Sequence, residues 1–338
     1  MKKVTVTGVR EVAVIDAPDP RPKENWVLVK VHIAPMCTEF KAYREGWKGE
    51  FLGHEAVGEV VEVAQPCGVK PGDRVVVMPQ YPCGRCELCL SGEYIHCQHC
   101  PDFGAFTGSP EGKATMAQYL LKHDWLLIPT PEGVSYEHAG MACCGLAPTF
   151  GAFDLLKPCG MHTVLIAGLG PVGLGGVINA THRGARAIGC DPVKYRRELA
   201  RKLGAEMVVD PTDPAALARV MEATHGRGVD EAIECAGAPE AQRFCIDATR
   251  RKGAIAFVGE AGELTVHVSN DLIRKGLTLH GSWHFNLAST PAMMRTIEQV
   301  GDKLDMLITH RFPMSQVKEA FELQLTAQSG KVLLYPWE

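Results

Sequence analysis

Four cysteines, Cys83, Cys86, Cys89 and Cys97, stand in the run CGRCELCLSGEYIHC with a C-x2-C-x2-C-x7-C spacing. Two-residue gaps let successive thiolates curl around one point, and the longer gap closes the fourth corner of a tetrahedron. Four thiolates leave no open coordination position, so the run reads as a structural zinc site; disulfides or reduced bystander thiols are the competing reading. A second set of donors is more scattered. Cys37 ends the strand-like run WVLVKVHIAPMC, His54 lies in GHEAVGEVVEV between two strand-like runs, and Cys143 and Cys144 precede a change of texture near residue 148. A lone histidine in such a place is ordinarily a core residue with its ring nitrogens satisfied. In company with two cysteines it would form a site with a fourth position open to water or substrate, the arrangement of a zinc that does chemistry.

The segment TVLIAGLGPVG carries Gly168-x-Gly170-x-x-Gly173 at the end of an apolar strand. In such a motif the first glycine permits a tight turn, the second lets a pyrophosphate approach the backbone, and the third allows close helix–strand packing. Pro171 and Val172 open the following helix, whose unpaired N–H groups and positive dipole end face the phosphates. The next strand ends at Asp191, placed to accept hydrogen bonds from an adenosine ribose. Its carboxylate would repel a 2′-phosphate and so favours NAD over NADP, a preference tempered by Lys194, Arg196 and Arg197 close by.

Two textures surround these residues. From Met1 to Ala147 the chain shows short β-rich runs separated by Pro/Gly turns such as Lys70-Pro71-Gly72-Asp73. From Pro148 to His284, apolar strands alternate with amphipathic helices, the pattern of a doubly wound parallel sheet with crossovers. Residues 285–338 hold two helical stretches and a last strand, GKVLLYP, whose character suits a return to the first domain. At 338 residues the chain can build two hydrophobic cores, and 46% hydrophobic with 22% charged residues is the balance of an ordinary globular enzyme. A net charge of -4 without a basic stripe argues against nucleic acid. The most apolar run, from Val164, is too short and glycine-rich to span a membrane. The N-terminal run lacks a signal peptide's apolar core, and thirteen cysteines then fit a reducing, cytoplasmic setting.

Taken together, GHEAVGEVVEVAQPC, the four-cysteine run, KPGDRVVV, GLGPVG and GVDEAIECAG resemble the zinc-dependent medium-chain dehydrogenase/reductase family, the alcohol and polyol dehydrogenases, over nearly the whole chain. The resemblance implies an α/β architecture: a GroES-like β-rich catalytic domain plus a doubly wound Rossmann nucleotide-binding domain. It implies two zinc ions per chain, NAD, and a homotetramer or homodimer acting on a small-molecule alcohol, polyol or sugar-derived substrate. The family's catalytic zinc ligands fall on Cys37, His54 and Cys144, with Cys143 as the alternative third ligand and Glu55 as a carboxylate able to approach the metal. The family's C-x-[ST]-D-x-[HK] run is altered here to Cys37-Thr38-Glu39-Phe40-Lys41-Ala42. Without a gap Glu39 takes the hydroxyl position; with a one-residue gap Thr38 does. Glu39 could then receive the substrate proton, serve a substrate hydroxyl or amine, or form a loop salt bridge. Trp47, Phe103 and Trp283-His284-Phe285-Asn286 are candidates to line the cleft, His284 and Asn286 being polar enough to suit a hydroxylated substrate. A zinc-free quinone or enal reductase and a non-catalytic nucleotide-binding protein are the competing functions, and the three-ligand set argues against both.

Overall fold

The computed structural model describes residues 1–49 and 51–338. The N-terminal half is antiparallel: a hairpin of β1 (Lys2–Gly8) and β2 (Glu11–Asp16), then β3 (Trp26–Met36), β4 (Ala56–Val63), β5 (Arg74–Val77), β6 (Tyr119–His123) and β7 (Leu127–Pro129). The middle of the chain supplies β8 (Thr163–Ala167), β9 (Arg186–Cys190), β10 (Met207–Val209), β11 (Val229–Glu234), β12 (Thr249–Phe257) and β13 (Thr278–Gly281). The C-terminal stretch adds β14 (Ile308–Pro313) and β15 (Lys331–Tyr335).

These form two large sheets. The first has the order β14-β15-β3-β4-β5-β7, with β6 also paired to β3. β3 sits at its centre, and its β-branched run Val27, Val29, Val31 is packed away from water. β15 lies antiparallel to β3, with Val332 opposite Met36 and Leu334 opposite Ala34. That pairing carries Lys331 back beneath the end of β3, where Cys37 begins.

The second sheet is parallel, in the order β10-β9-β8-β11-β12-β13. Every residue of β8 is buried. Val164 and Ile166 pack into one hydrophobic cluster and Leu165 and Ala167 into another, so both faces are covered. This explains why TVLIA is apolar without alternation. Strand order reverses between β8 and β11, and a crevice opens beyond their C-terminal ends, the expected ligand position in such sheets. The helix Ala147–Leu156 packs against the helix Pro171–His182 that follows the glycine turn.

Candidate active site

A cleft of about 670 Å³ runs from the end of β3 to the switch point of the parallel sheet. At one end the donor atoms of Cys37, His54, Glu55 and Cys144 all lie within 4.8 Å of one another. His54 Nε2 is 3.2 Å from Cys144 Sγ and 3.8 Å from Glu55 Oε1. Bonds of roughly 2.0–2.3 Å to a tetrahedral zinc put neighbouring ligand atoms about 3.3–3.8 Å apart, so this donor set fits the metal with little adjustment. Cys143 is turned elsewhere: its thiol is buried and donates to the carbonyl of Val77.

The residues behind these donors hold them. The chain leaves β3 at Cys37 and enters a helix, Glu39–Glu45, where the sequence had suggested a loop. That turn folds Glu39 back on itself. Its Oε2 accepts from the Cys37 amide at 2.8 Å, and its Oε1 lies 2.6 Å from His54 Nδ1. Burial would push this carboxyl up, but His54 and the Cys37 amide outweigh it and hold it at about 2. Ionised Glu39 keeps a proton on Nδ1 and presents the Nε2 lone pair to the metal position. Of the readings open for Glu39, this geometry favours the salt bridge, made to His54, over proton transfer: the carboxylate is engaged by His54 and the backbone, and Glu39 is not among the residues lining the cleft. Thr38 and Lys41 line it instead. Thr38 stands at the helix N-cap, yet its hydroxyl makes no capping bond.

Glu55 is fully buried, with Oε1 2.6 Å from Lys331 Nζ and Oε2 accepting from the Cys144 amide at 3.1 Å. Burial works against the Lys331 ammonium, but Glu55 and the thiols of Cys37 and Cys144 outweigh it and raise its pKa. Lys331 therefore stays charged beside Glu55, whose carboxyl burial pushes up to about 7 against the pull of Lys331. Sequence reasoning missed Lys331; its only mark was a charge opening an otherwise apolar strand.

At the other end the glycine turn is built as its sequence requires. Gly168 has φ +86, and a Cβ there would meet the Ala236 amide nitrogen at 2.5 Å. A Cβ on Gly173 would sit 1.8 Å from the Gly168 carbonyl oxygen, so this position packs helix on turn and stays off the cleft. Gly168, Gly170, Pro171, Val172 and Asp191 all line the cleft. Asp191 accepts from the amides of Leu169 at 2.7 Å and Val193 at 2.8 Å, which leaves each oxygen a further lone pair for a ribose hydroxyl. Arg196 lies 3.8 Å from it on the cleft wall. An open crevice floored by a glycine turn and flanked by this acid fits a dinucleotide.

The remaining candidates separate. Among Cys83, Cys86, Cys89 and Cys97 the sulfur separations include 3.5, 3.9 and 4.0 Å, against about 3.8 Å for a tetrahedral zinc–tetrathiolate and about 2.05 Å for a disulfide. Against burial, the amides of Arg85 and Cys86 pull the Cys83 thiol down to about 6. The amides of Cys83 and His99 point at the Cys97 sulfur. Burial and the Cys86 sulfur push the Cys89 thiol up instead, so the fit to zinc rests on the sulfur separations and on the amides aimed at Cys83 and Cys97. Of the aromatic candidates only Trp283 lines the cleft. Trp47 is exposed elsewhere, and Phe103 packs edge-on against Trp26 and Tyr81 in a separate cluster. Phe285 is core, while His284 and Asn286 turn toward the four-cysteine lobe. Their polarity therefore carries no message about a hydroxylated substrate.

Comparison with known proteins matches residues 23–132 to the alcohol dehydrogenase GroES-like domain and residues 171–299 to the zinc-binding dehydrogenase family. The chain is 33% identical over 338 residues to an L-threonine 3-dehydrogenase of Pyrococcus horikoshii, covering 96% of this chain and 94% of that protein. It is 31% identical over 353 residues to a sorbitol dehydrogenase of Bacillus subtilis, covering 99% and 97%. An alcohol dehydrogenase from Thermus sp. ATN1 superposes with a TM-score of 0.89 at 25% identity, covering 99% of each chain.

Proposed function

The chain belongs to the zinc-dependent medium-chain dehydrogenase/reductase family, and we propose that it transfers a hydride between a secondary alcohol with a neighbouring hydroxyl or amino group and NAD, giving the ketone. The observation that carries this reading is one cleft with Cys37, His54, Glu55 and Cys144 at one end and the Gly168–Val172 turn with Asp191 at the other. The relatives' names support this substrate class: threonine and sorbitol share a secondary hydroxyl beside a carbon bearing a polar group.

Cys37, His54 and Cys144 are the residues that would hold the catalytic metal, with Glu55 behind them, and Cys83, Cys86, Cys89 and Cys97 those for a structural zinc. Zinc in the first site supplies a Lewis acid that makes a substrate hydroxyl acidic, and NAD supplies the hydride acceptor. Everything else falls to the protein. Glu39 fixes the ring of His54, and Lys331 neutralises Glu55 so that the thiolates are not left beside an uncompensated carboxylate. Thr38, with its hydroxyl free at the cleft wall, receives the substrate proton and gives its own toward solvent. Lys41 adds a positive charge on the same wall. Phe40, Pro148 and Trp283 keep the reacting end dry, and Asp191 holds the adenosine ribose.

Metal analysis and a substrate screen test this together. The purified protein should carry two zinc ions per chain. Cys37→Ser and Cys144→Ser should each lose one zinc and NADH production, while Cys143→Ser keeps both. Diols, polyols and amino alcohols should outperform short simple alcohols. A parent protein with a single zinc, or a Cys37→Ser variant with full turnover, would overturn the proposal.

A further inference from the structure

The segment after β13, residues 282–287, touches two places at once. Ser282 and Trp283 line the cleft, while the residues that follow run along the four-cysteine lobe. Tyr94 and His284 are both buried, and the Tyr94 hydroxyl lies 3.1 Å from His284 Nδ1. Asn286 Nδ2 donates to the Ser91 carbonyl at 2.9 Å and to Glu93 Oε1 at 2.7 Å. The Leu287 amide donates to the Gly92 carbonyl at 3.0 Å. Trp283 itself meets His96 edge-on, with ring centroids 5.9 Å apart.

Every lobe residue in these contacts lies between Cys89 and Cys97. The seven-residue spacer that completes the thiolate cage is therefore also the surface that grips the cleft segment. Zinc bound by the cage would fix both ends of that spacer, which otherwise has only the end of the short helix Glu87–Leu90 and a one-turn helix, Tyr94–His96, to stiffen it. The fit is close. A Cβ on Gly92 would lie 2.2 Å from Asn286 Oδ1, and one on Gly151 would lie 1.9 Å from the His284 carbonyl oxygen. His284 is held at φ +65, an uncommon conformation for a non-glycine residue, which persists only where surrounding contacts enforce it. Its other ring nitrogen, Nε2, is buried with no partner among the described residues, so Tyr94 alone orients the ring by hydrogen bonding.

We propose that the Leu90–His96 spacer is a clasp that positions the cleft wall at Trp283, through Tyr94–His284 and through Asn286, so that the four-cysteine cage sets substrate affinity at a site it does not touch. Tyr94, Glu93 and Asn286 are positioning residues in this scheme. The effect on substrate rests on the cleft being the alcohol site; the effect on Trp283 does not.

Tyr94→Phe and Asn286→Ala in the full-length protein test it with two readouts. Iodide quenching of Trp283, taken as the difference between each variant and the same variant carrying Trp283→Phe, should rise by about twofold without any substrate present. KM for the best alcohol should rise about fivefold, the factor equivalent to one net neutral hydrogen bond, with kcat changed by less than about twofold and two zinc ions retained. Increased quenching in a protein that oxidises no alcohol upholds the clasp and overturns the proposed function instead. Unchanged quenching and KM, with only a lowered melting temperature, overturn the clasp and leave the contacts purely structural. Should Tyr94→Phe fail to fold, Glu93→Ala at a half-exposed position takes its place, with the same two readouts deciding.

Discussion

Replacing Glu39 by glutamine keeps the side chain's shape and removes the charge that faces His54 Nδ1 at 2.6 Å. A hydrogen bond to a charged group contributes about 1.5–3 kcal/mol. Loss of a carboxylate behind a metal-binding histidine lowers metal affinity roughly 10- to 100-fold, or about 1.4–2.8 kcal/mol. The two figures agree, and they rank the variants. Glu39→Gln retains an acceptor for the Cys37 amide and should weaken zinc binding about tenfold; Glu39→Ala strips that amide of its acceptor and should approach a hundredfold. Titrating metal-free protein with zinc against a chromophoric chelator measures both, with the four-cysteine site as an unchanged internal reference. The sign with pH also follows. The folded carboxyl at about 2 lies below the ordinary 4.5, so its stabilisation is full above pH 4.5 and is lost as pH falls toward 2; Glu39→Gln should lack that dependence. A Glu39→Gln variant that binds zinc at parental affinity but loses turnover by about a hundredfold, with an altered pH–rate profile, would refute the reasoning and return Glu39 to proton transfer.

Lys331→Met takes from Glu55 its ammonium countercharge in a site with no exposure, and where the carboxyl is ionised breaking such a buried pair costs about 3–5 kcal/mol. Burial already pushes the Glu55 carboxyl up to about 7, and removing Lys331 pushes it further. The loss should therefore be largest near pH 8 and shrink toward pH 5 as the carboxyl protonates, with Glu55→Gln in the same chain restoring most of it; urea unfolding at both pH values is the measurement. Asp191→Ser should raise KM for NAD about tenfold and improve relative use of NADP, since Arg196 on the same wall is then free to meet a 2′-phosphate. An unchanged ratio of kcat/KM for the two cofactors would remove Asp191 from the ribose site.

What the sequence disclosed was local or periodic. The two-residue gaps at Cys83, Cys86 and Cys89 bring sulfurs together within one turn of chain, and the apolar run of β8 needs no partner to be recognised. Cys37 and His54 could be singled out because each interrupts or ends a strand pattern. The role of Glu39 was not legible in this way. Its meaning depends on whether the chain coils immediately after Cys37, and a helix of seven residues that opens at Glu39 itself leaves no periodic signal before the turn that matters. Lys331 was hidden by distance: it meets Glu55 across 276 residues, through a β15–β3 register that a single sequence does not encode locally. Phe103 shows the opposite failure, since aromatic character reports burial against something without naming the partner, and Trp47 is exposed away from the cleft altogether.

The four-cysteine run combines both cases, and it changes what a structural metal site is for. A C-x7-C gap reads as slack chain whose only duty is to bring Cys97 round to the other three sulfurs. In the fold that gap holds Gly92, without which Asn286 could not approach, and Tyr94, whose partner His284 lies 190 residues away. A closed thiolate cage has no position for substrate, so its influence on chemistry must pass through whatever its loops hold. Here they hold the segment that carries Trp283 into the cleft. Cage and catalytic donors are thus two ends of one arrangement: β3 and β15 fix Cys37 and Lys331 from below, and the spacer fixes the opposing wall.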